Sequence, residues 1–208
     1  MATVEHLAAL VSDYAATLAD QADHLTELDR PIGDADHGTN MARGLAQAAL
    51  IRPADGFPTP EAYLKKVGMT VVGTVGGACG PLYGTFFLRM AGPLAGVVDA
   101  DAAQLGRALA AGVDGVLARG RAAVGDKTMY DVWVPALLAY DEALAAGQDL
   151  AAALRAAADA GEQARDATRD LVARRGRASY LGVRSRGHVD PGAASSALLL
   201  QSMARTLT

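Results

Sequence analysis

Apolar residues in this chain recur every three or four positions over most of its length, and nowhere settle into the period of two that a half-buried strand requires. That single pattern removes sheets and leaves helices packed on helices. Val4, Leu7, Val11, Tyr14, Leu18, Leu25 and Leu28 form the first such stripe, with a missing turn at Gln21 and Ala22 and with Thr3 placed to cap the start. A second helix is expected from about Thr39 to Ile51, carrying Met41 and Leu45 inward. Thr59-Pro60-Glu61 starts a third, because proline suits the first helical position. Pro81 restarts a helix through Phe86 and Phe87 to about Leu94. Asp101 precedes the Leu105, Leu109, Val113, Val116 stripe, which ends near Gly120.

Val132, Trp133, Leu137, Leu138 and Leu144 mark the next helix, to Gly147. Asp149 caps a long alanine-rich one reaching about Ala173, and Asp190-Pro191 opens the last, to about Leu207. The expected fold is all-α, an antiparallel barrel or bundle of about eight amphipathic helices in a single domain spanning residues 1–208. Short connections make sequential helices antiparallel neighbours. At 208 residues one core suffices, since such a chain buries roughly 70% of its unfolded surface.

Val67 to Leu88 is uncharged and contains glycines at small-xxx-small spacing. A membrane span is rejected, because Gly76, Gly77, Gly80 and Pro81 break the segment in its middle. A buried helix, a glycine turn and a second buried helix fit better. Net charge is −4 and there is no basic run, which argues against a nucleic-acid binder. Cys79 is the single cysteine, so no intrachain disulfide or CxxC metal site exists. No secretory signal is visible, and the cytoplasm is the expected compartment.

Four connections are richer in Gly, Asp, Arg and Thr than turns require: Asp29 to Asn40, Gly76 to Pro81, Gly120 to Met129, and Gly176 to Gly192. They follow the first, third, fifth and seventh helices, so in an up-down bundle all four meet at one end. The first holds Asp29, Asp34 and Asp36 within eight residues. Like charges so close raise one another's pKa unless a cation sits among them. Oxygen-only ligands favour a hard ion such as Mg²⁺, shared with substrate phosphates; the plain alternative is an acidic surface turn. An EF-hand does not fit, because Thr39 stands where its glycine belongs and Leu45 where its bidentate glutamate belongs.

Gly76 to Gly80 has the makings of a phosphate cradle ahead of a helix, or simply of close helix packing. Gly120 to Thr128 nearly spells a P-loop, but Asp126 displaces Lys127 by one and a helix precedes the loop. The Walker reading therefore fails, and a turn with a cation and a hydroxyl remains, or a solvated loop. Arg174, Arg175 and Arg177, with Arg184, Arg186 and His188, could neutralise phosphate or merely coat a loop. Asp190-Pro191-Gly192 could be only a cap, and His37 a local hydrogen-bonding residue.

Taken together, LDRPIGDADHGTNMARG, GGACGPLYGTFF, VGDKTMYDVWVPA and GRASYLGVRSRGHVDPGAASS resemble, in order and spacing, the L-subunit family of dihydroxyacetone kinase. The resemblance covers essentially the whole chain. It implies a closed barrel of eight antiparallel helices, with Asp29, Asp34 and Asp36 holding two Mg²⁺ ions that bridge nucleotide phosphates. It implies that His37, Gly38, Thr39 and Asn40 line the nucleotide, Ala78 and Cys79 the phosphates, and Gly120, Met129, Arg177, Asp190, Pro191 and Gly192 the rest of the pocket. Asp29, Asp34, Asp36 and Arg177 would form the catalytic set. The family usually has Ser where this chain has Cys79.

The implied activity is phosphoryl transfer from bound ADP/ATP to dihydroxyacetone, or a related small ketose, held by a separate K subunit. ADP would stay bound as a coenzyme, rephosphorylated by an M subunit of the phosphoenolpyruvate:sugar phosphotransferase system. The competing readings are a stand-alone L subunit of an ATP-dependent ketose kinase using exchangeable ATP, and a noncatalytic nucleotide-sensing regulator.

Overall fold

The computed structural model describes residues 2–207. Its helices are α1 Val4–Asp20, α2 Ala22–Asp29, α3 His37–Ala48, α4 Pro60–Thr74, α5 Cys79–Ala91, α6 Ala102–Gly120, α7 Tyr130–Ala145, α8 Leu150–Ala167 and α9 Pro191–Thr206. The helix packing closes on itself: α1 lies against α3, α3 against α4, and so on through α8 against α9, with α9 returning to α1. This is the eight-helix barrel, in which α2 continues α1 after a break. Among the described residues the only strand-type pairing is the bridge between Ala2 and Ala100. No helix there is long and apolar enough to cross a membrane.

The break falls at Gln21, whose backbone (φ −95°, ψ 7°) leaves helical geometry at the missing turn of the apolar stripe. α2 then turns to pack on α3 and α9. The contact with α3 is backbone-close, because a Cβ at Gly38 would lie 1.9 Å from the Ala22 carbonyl oxygen. Two helices start two residues earlier than their sequence suggests. α3 begins at His37, where the Asp29 carboxylate accepts hydrogen bonds from the Asp36 and His37 amides at 3.0 and 3.3 Å. α5 begins at Cys79, after a left-handed turn at Gly77 (φ +65°) that only glycine makes without steric cost.

A third difference is at α8, which stops at Ala167 instead of running to Ala173. Thr168 then opens a 3-10 turn to Asp170, and a longer irregular 3-10 segment covers Arg177–Ser185. Tertiary partners hold Thr168: its hydroxyl donates to the Arg165 carbonyl and accepts from the Asp190 amide. Periodicity carries no trace of either.

One apolar core fills the barrel, with Tyr14, Tyr63, Tyr83, Tyr140, Phe86, Phe87 and Trp133 among its fully buried side chains. Trp133 and Phe86 stack with centroids 4.6 Å apart. Burying each large apolar side chain contributes about 1.5–3 kcal/mol, which makes the ring rigid enough to hold loops at its end. A small satellite cluster, Ile32, Ala173 and Ala178, fastens two of those loops to each other. Leu138, grouped by sequence with the inward residues of α7, faces outward.

Candidate functional site

The connections after α2, α4, α6 and α8 meet at one end of the barrel around a cavity of about 880 Å³. Asp29 ends α2, and the chain returns through Asp34 and Asp36 by way of Ala35 in the left-handed region (φ +58°). For a residue with a Cβ that conformation costs about 1–2 kcal/mol. It folds the segment back so that carboxylate oxygens of all three aspartates come within 4.8 Å of one another.

Arg177 reaches over from the loop after α8 and pairs with Asp34 at 2.9 Å. Desolvation, followed by the charge of Asp34, holds the Asp36 carboxyl above its usual range. Three hard oxygen donors, partly desolvated and already drawing one cation, suit a hard divalent ion such as Mg²⁺.

Opposite the carboxylates, α5 presents its first turn with Ala78 at the N-cap position and no side chain capping it. Free helix amides with the positive end of the helix dipole make a place for an anion. Gly76 and Gly77 line the approach, and Gly120, Met129, Arg177, Asp190, Pro191 and Gly192 line the remaining wall with Asn40, Ala78 and Cys79. Two residues of the sequence set lie elsewhere. Gly38 is spent on the contact with α2, and Thr39 is exposed with its hydroxyl donating to the Asp36 carbonyl.

His37 lies at the base of the cavity and is already occupied. Its Nε2 is 2.9 Å from the Ser195 hydroxyl and its Nδ1 is 3.2 Å from the Cys79 sulfur. The Tyr83 hydroxyl extends this buried chain to Ser195 and Ser196, at 2.7 and 2.9 Å. Burial pushes the imidazole down to about 4, with Asp29 pulling the other way, so His37 is neutral near pH 7 and not poised as a base there. Burial likewise pushes the Cys79 thiol up to about 12, reinforced by the surrounding carboxylates. It is therefore not a thiolate nucleophile.

Asp190 keeps part of its surface open to the cavity, yet protein surrounds its carboxyl, and that desolvation pushes its pKa up to about 7 against the pull of Lys127.

Sequence reasoning gave no role to Tyr83 and Ser195, although both fall inside the quoted motifs, because they become neighbours only when α5 and α9 pack across the barrel. It also left Lys127 as a turn cation, whereas the side chain is completely buried. The signal available was its place beside Asp126 and Thr128, in a loop with more polar residues than a turn needs.

A closed ring of antiparallel helices, with one end opened into a polar cavity that holds three clustered carboxylates and the uncapped first turn of α5, is the class of protein that this fold and site define. The chain belongs to the DAK2 domain family, whose model matches residues 31–205. It is 44% identical over 184 residues, 88% of each chain, to the ADP-binding subunit DhaL of the PEP-dependent dihydroxyacetone kinase of Escherichia coli (strain K12). It is 43% identical over 203 residues to the ADP-binding subunit DhaL of PEP-dependent dihydroxyacetone kinase 1 of Listeria innocua, covering 94% of this chain and 93% of that one. Among solved structures it superposes on the dihydroxyacetone kinase from C. freundii in complex with AMP-PNP and Mg²⁺, with a TM-score of 0.72 and 26% identity. That match covers 95% of this chain and 33% of the C. freundii chain.

Proposed function

We propose that this chain, as one L-type nucleotide-binding domain over residues 1–208, carries out Mg²⁺-dependent phosphoryl transfer from a bound adenine nucleotide to dihydroxyacetone or a related small ketose. The acceptor is held by a separate K subunit. ADP stays bound and is rephosphorylated by an M subunit of the phosphotransferase system, in the cytoplasm. The observation that carries this reading is the convergence of three carboxylates, with ligand oxygens within 4.8 Å, on a cavity that also receives the uncapped first turn of α5. The names of the Escherichia and Listeria relatives, ADP-binding subunits of PEP-dependent kinases, favour the coenzyme mode.

Asp29, Asp34 and Asp36 would hold two Mg²⁺ ions, and when bound these supply charge neutralisation to the phosphates. The chain's own work is positioning. Amides at the start of α5, with Ala78 and Cys79, face the phosphates; Asn40, Gly120, Met129, Asp190, Pro191 and Gly192 enclose the remainder of the nucleotide. The backbone amide of His37 is given to Asp29, which keeps that carboxylate aimed at the cavity. Gly38 and Thr39 act through the backbone, by seating the start of α3 on α2. Arg177, beside Asp34, is the cation that can follow charge developing on the transferred group. No side chain of this protein needs to act as a nucleophile.

A second reading, exchangeable ATP as direct donor, is favoured by the C. freundii kinase, where the matching region is a third of a longer chain solved with AMP-PNP. Denaturing freshly purified protein and identifying the released nucleotide by chromatography separates the two. One equivalent of ADP that resists dialysis against ATP and Mg²⁺ is the expected result. An empty or freely exchanging site that binds ATP would replace the coenzyme mode with the second reading, and absence of any nucleotide binding would overturn both.

A further inference from the structure

Lys127 is a buried cation to which the nucleotide reading gives no task. It is fully buried, and its backbone takes the left-handed conformation (φ +62°) although it has a Cβ. The ammonium donates to the carbonyls of Thr168 and His188; neither partner is a carboxylate. Burying an amine among carbonyls is costly unless its donors are well used, and desolvation does hold its pKa below the usual lysine value. Hydrogen bonds to a charged donor are the strong kind, and these two join segments far apart in sequence.

Other bonds lace the same three segments together. The Asp126 carbonyl accepts from the Arg174 amide at 3.0 Å, and the Arg169 carbonyl accepts from the Gly187 amide at 2.8 Å. The Thr168 hydroxyl accepts from the Asp190 amide at 3.0 Å. The segments so tied carry Met129, Arg177 and Asp190 to Gly192, one whole wall of the cavity.

We propose that Lys127 is a positioning residue: by gripping the Thr168 and His188 carbonyls it holds the Asp190 to Gly192 wall closed on bound nucleotide and sets how slowly that nucleotide leaves. The inference rests on the nucleotide reading above. Charge reinforces the geometry. Asp190, Asp170 and Asp131 face Lys127 and attract it, and Arg169 repels it. Asp190 in turn feels Lys127 as its stabilising cation, against Asp131 and Asp29. Without Lys127, Asp190 ionises only at higher pH.

The test uses the full chain with N-methylanthraniloyl-ADP and Mg²⁺, following release of the fluorescent nucleotide by stopped flow across pH 6 to 9. Relative to wild type, Lys127→Met is expected to release nucleotide about tenfold faster, the scale of losing a charged hydrogen-bond donor. The pH midpoint of affinity should move upward. Mn²⁺ binding to the nucleotide-free protein should stay within about twofold, because Lys127 makes no hydrogen bond to any of the three aspartates.

Thr168→Val keeps the lysine grip but removes the acceptor of the Asp190 amide, and should speed release to a smaller degree. If Lys127→Met does not fold, Lys127→Gln, which keeps an amide donor without the charge, takes its place and should also release nucleotide faster. Release within about twofold of wild type in the folded variants would overturn the clamp. So would faster release with an unmoved pH midpoint in Lys127→Met, which would mean only loosened packing. Failure of wild type itself to bind the nucleotide would overturn the nucleotide reading, and the clamp with it.

Discussion

The two ends of the barrel start their helices differently. At the end away from the cavity, α1, α4, α6 and α8 each begin behind a side-chain cap: Thr3 to His6, Thr59 to Ala62, Asp101 to Gln104 and Asp149 to Ala152. At the cavity end only α9 is capped by its own N-cap residue, Asp190; the first amides of α3 and α7 are taken instead by the side chains of Asp29 and Thr128, and α5 begins with no side-chain acceptor. The cap missing from α5 forgoes about 1 kcal/mol. The non-glycine residues with left-handed backbones among the described residues, Ala35, Arg121 and Lys127, also all lie in the cavity-end connections. One end is built for stability, while the other leaves the first turn of α5 and three clustered carboxylates open to a ligand. Local rules are expected to break where function needs them to.

The same contrast extends to ionisation. His37 is held at about 4 by burial, against an ordinary value near 6.5. The unfolded chain thus binds a proton between those values that the folded chain refuses, so stability falls as pH drops from 6.5 to 4. The size is about 3 kcal/mol. Asp190, raised to about 7 by desolvation, works with the opposite slope: its folded form keeps a proton that the unfolded carboxyl loses above its ordinary range, so its share of stability falls as pH rises toward 7. Denaturant melts of wild type and His37→Gln over pH 4 to 7 isolate the histidine by difference. The gap in stability between them should change by about 3 kcal/mol across that window, and a constant gap would remove His37 from the ionisation cost of the cavity end.

A smaller effect is expected at the other end. Asp101→Ala removes the capping box that Asp101 and Gln104 form at the start of α6 and should cost about 1 kcal/mol in the same melts. ADP affinity should be unchanged, since Asp101 belongs to the connections away from the cavity. A loss of affinity would show that the two ends are not separable.

The architecture was largely legible because it rests on local chemistry. The caps at Thr3, Thr59, Asp101, Asp149 and Asp190, the proline starts and the three-to-four spacing mark where helices begin and which faces turn inward. Counting helices then brought the polar loops to one end. What escaped depends on partners distant in sequence. The end of α8 is diverted by Lys127 and Asp190, which bond to Thr168 from 41 and 22 residues away. The Tyr83, Ser195 and His37 chain exists only after α5, α9 and α3 pack together. The glycines also divided their labour invisibly: Gly77 makes the turn into α5, while Gly38, in the nucleotide set by resemblance, serves the α2 contact.

The most direct measurement is calorimetric titration of ADP into nucleotide-free wild type and Asp34→Asn, each with Mg²⁺ and with EDTA, alongside helicity by circular dichroism. Wild type should bind with one-to-one stoichiometry and lose at least about tenfold in affinity when Mg²⁺ is removed, and Asp34→Asn should show the weaker value in both conditions with its helicity intact. Equal affinity in all four titrations would contradict a cavity end organised around a carboxylate-held metal and a phosphate anion.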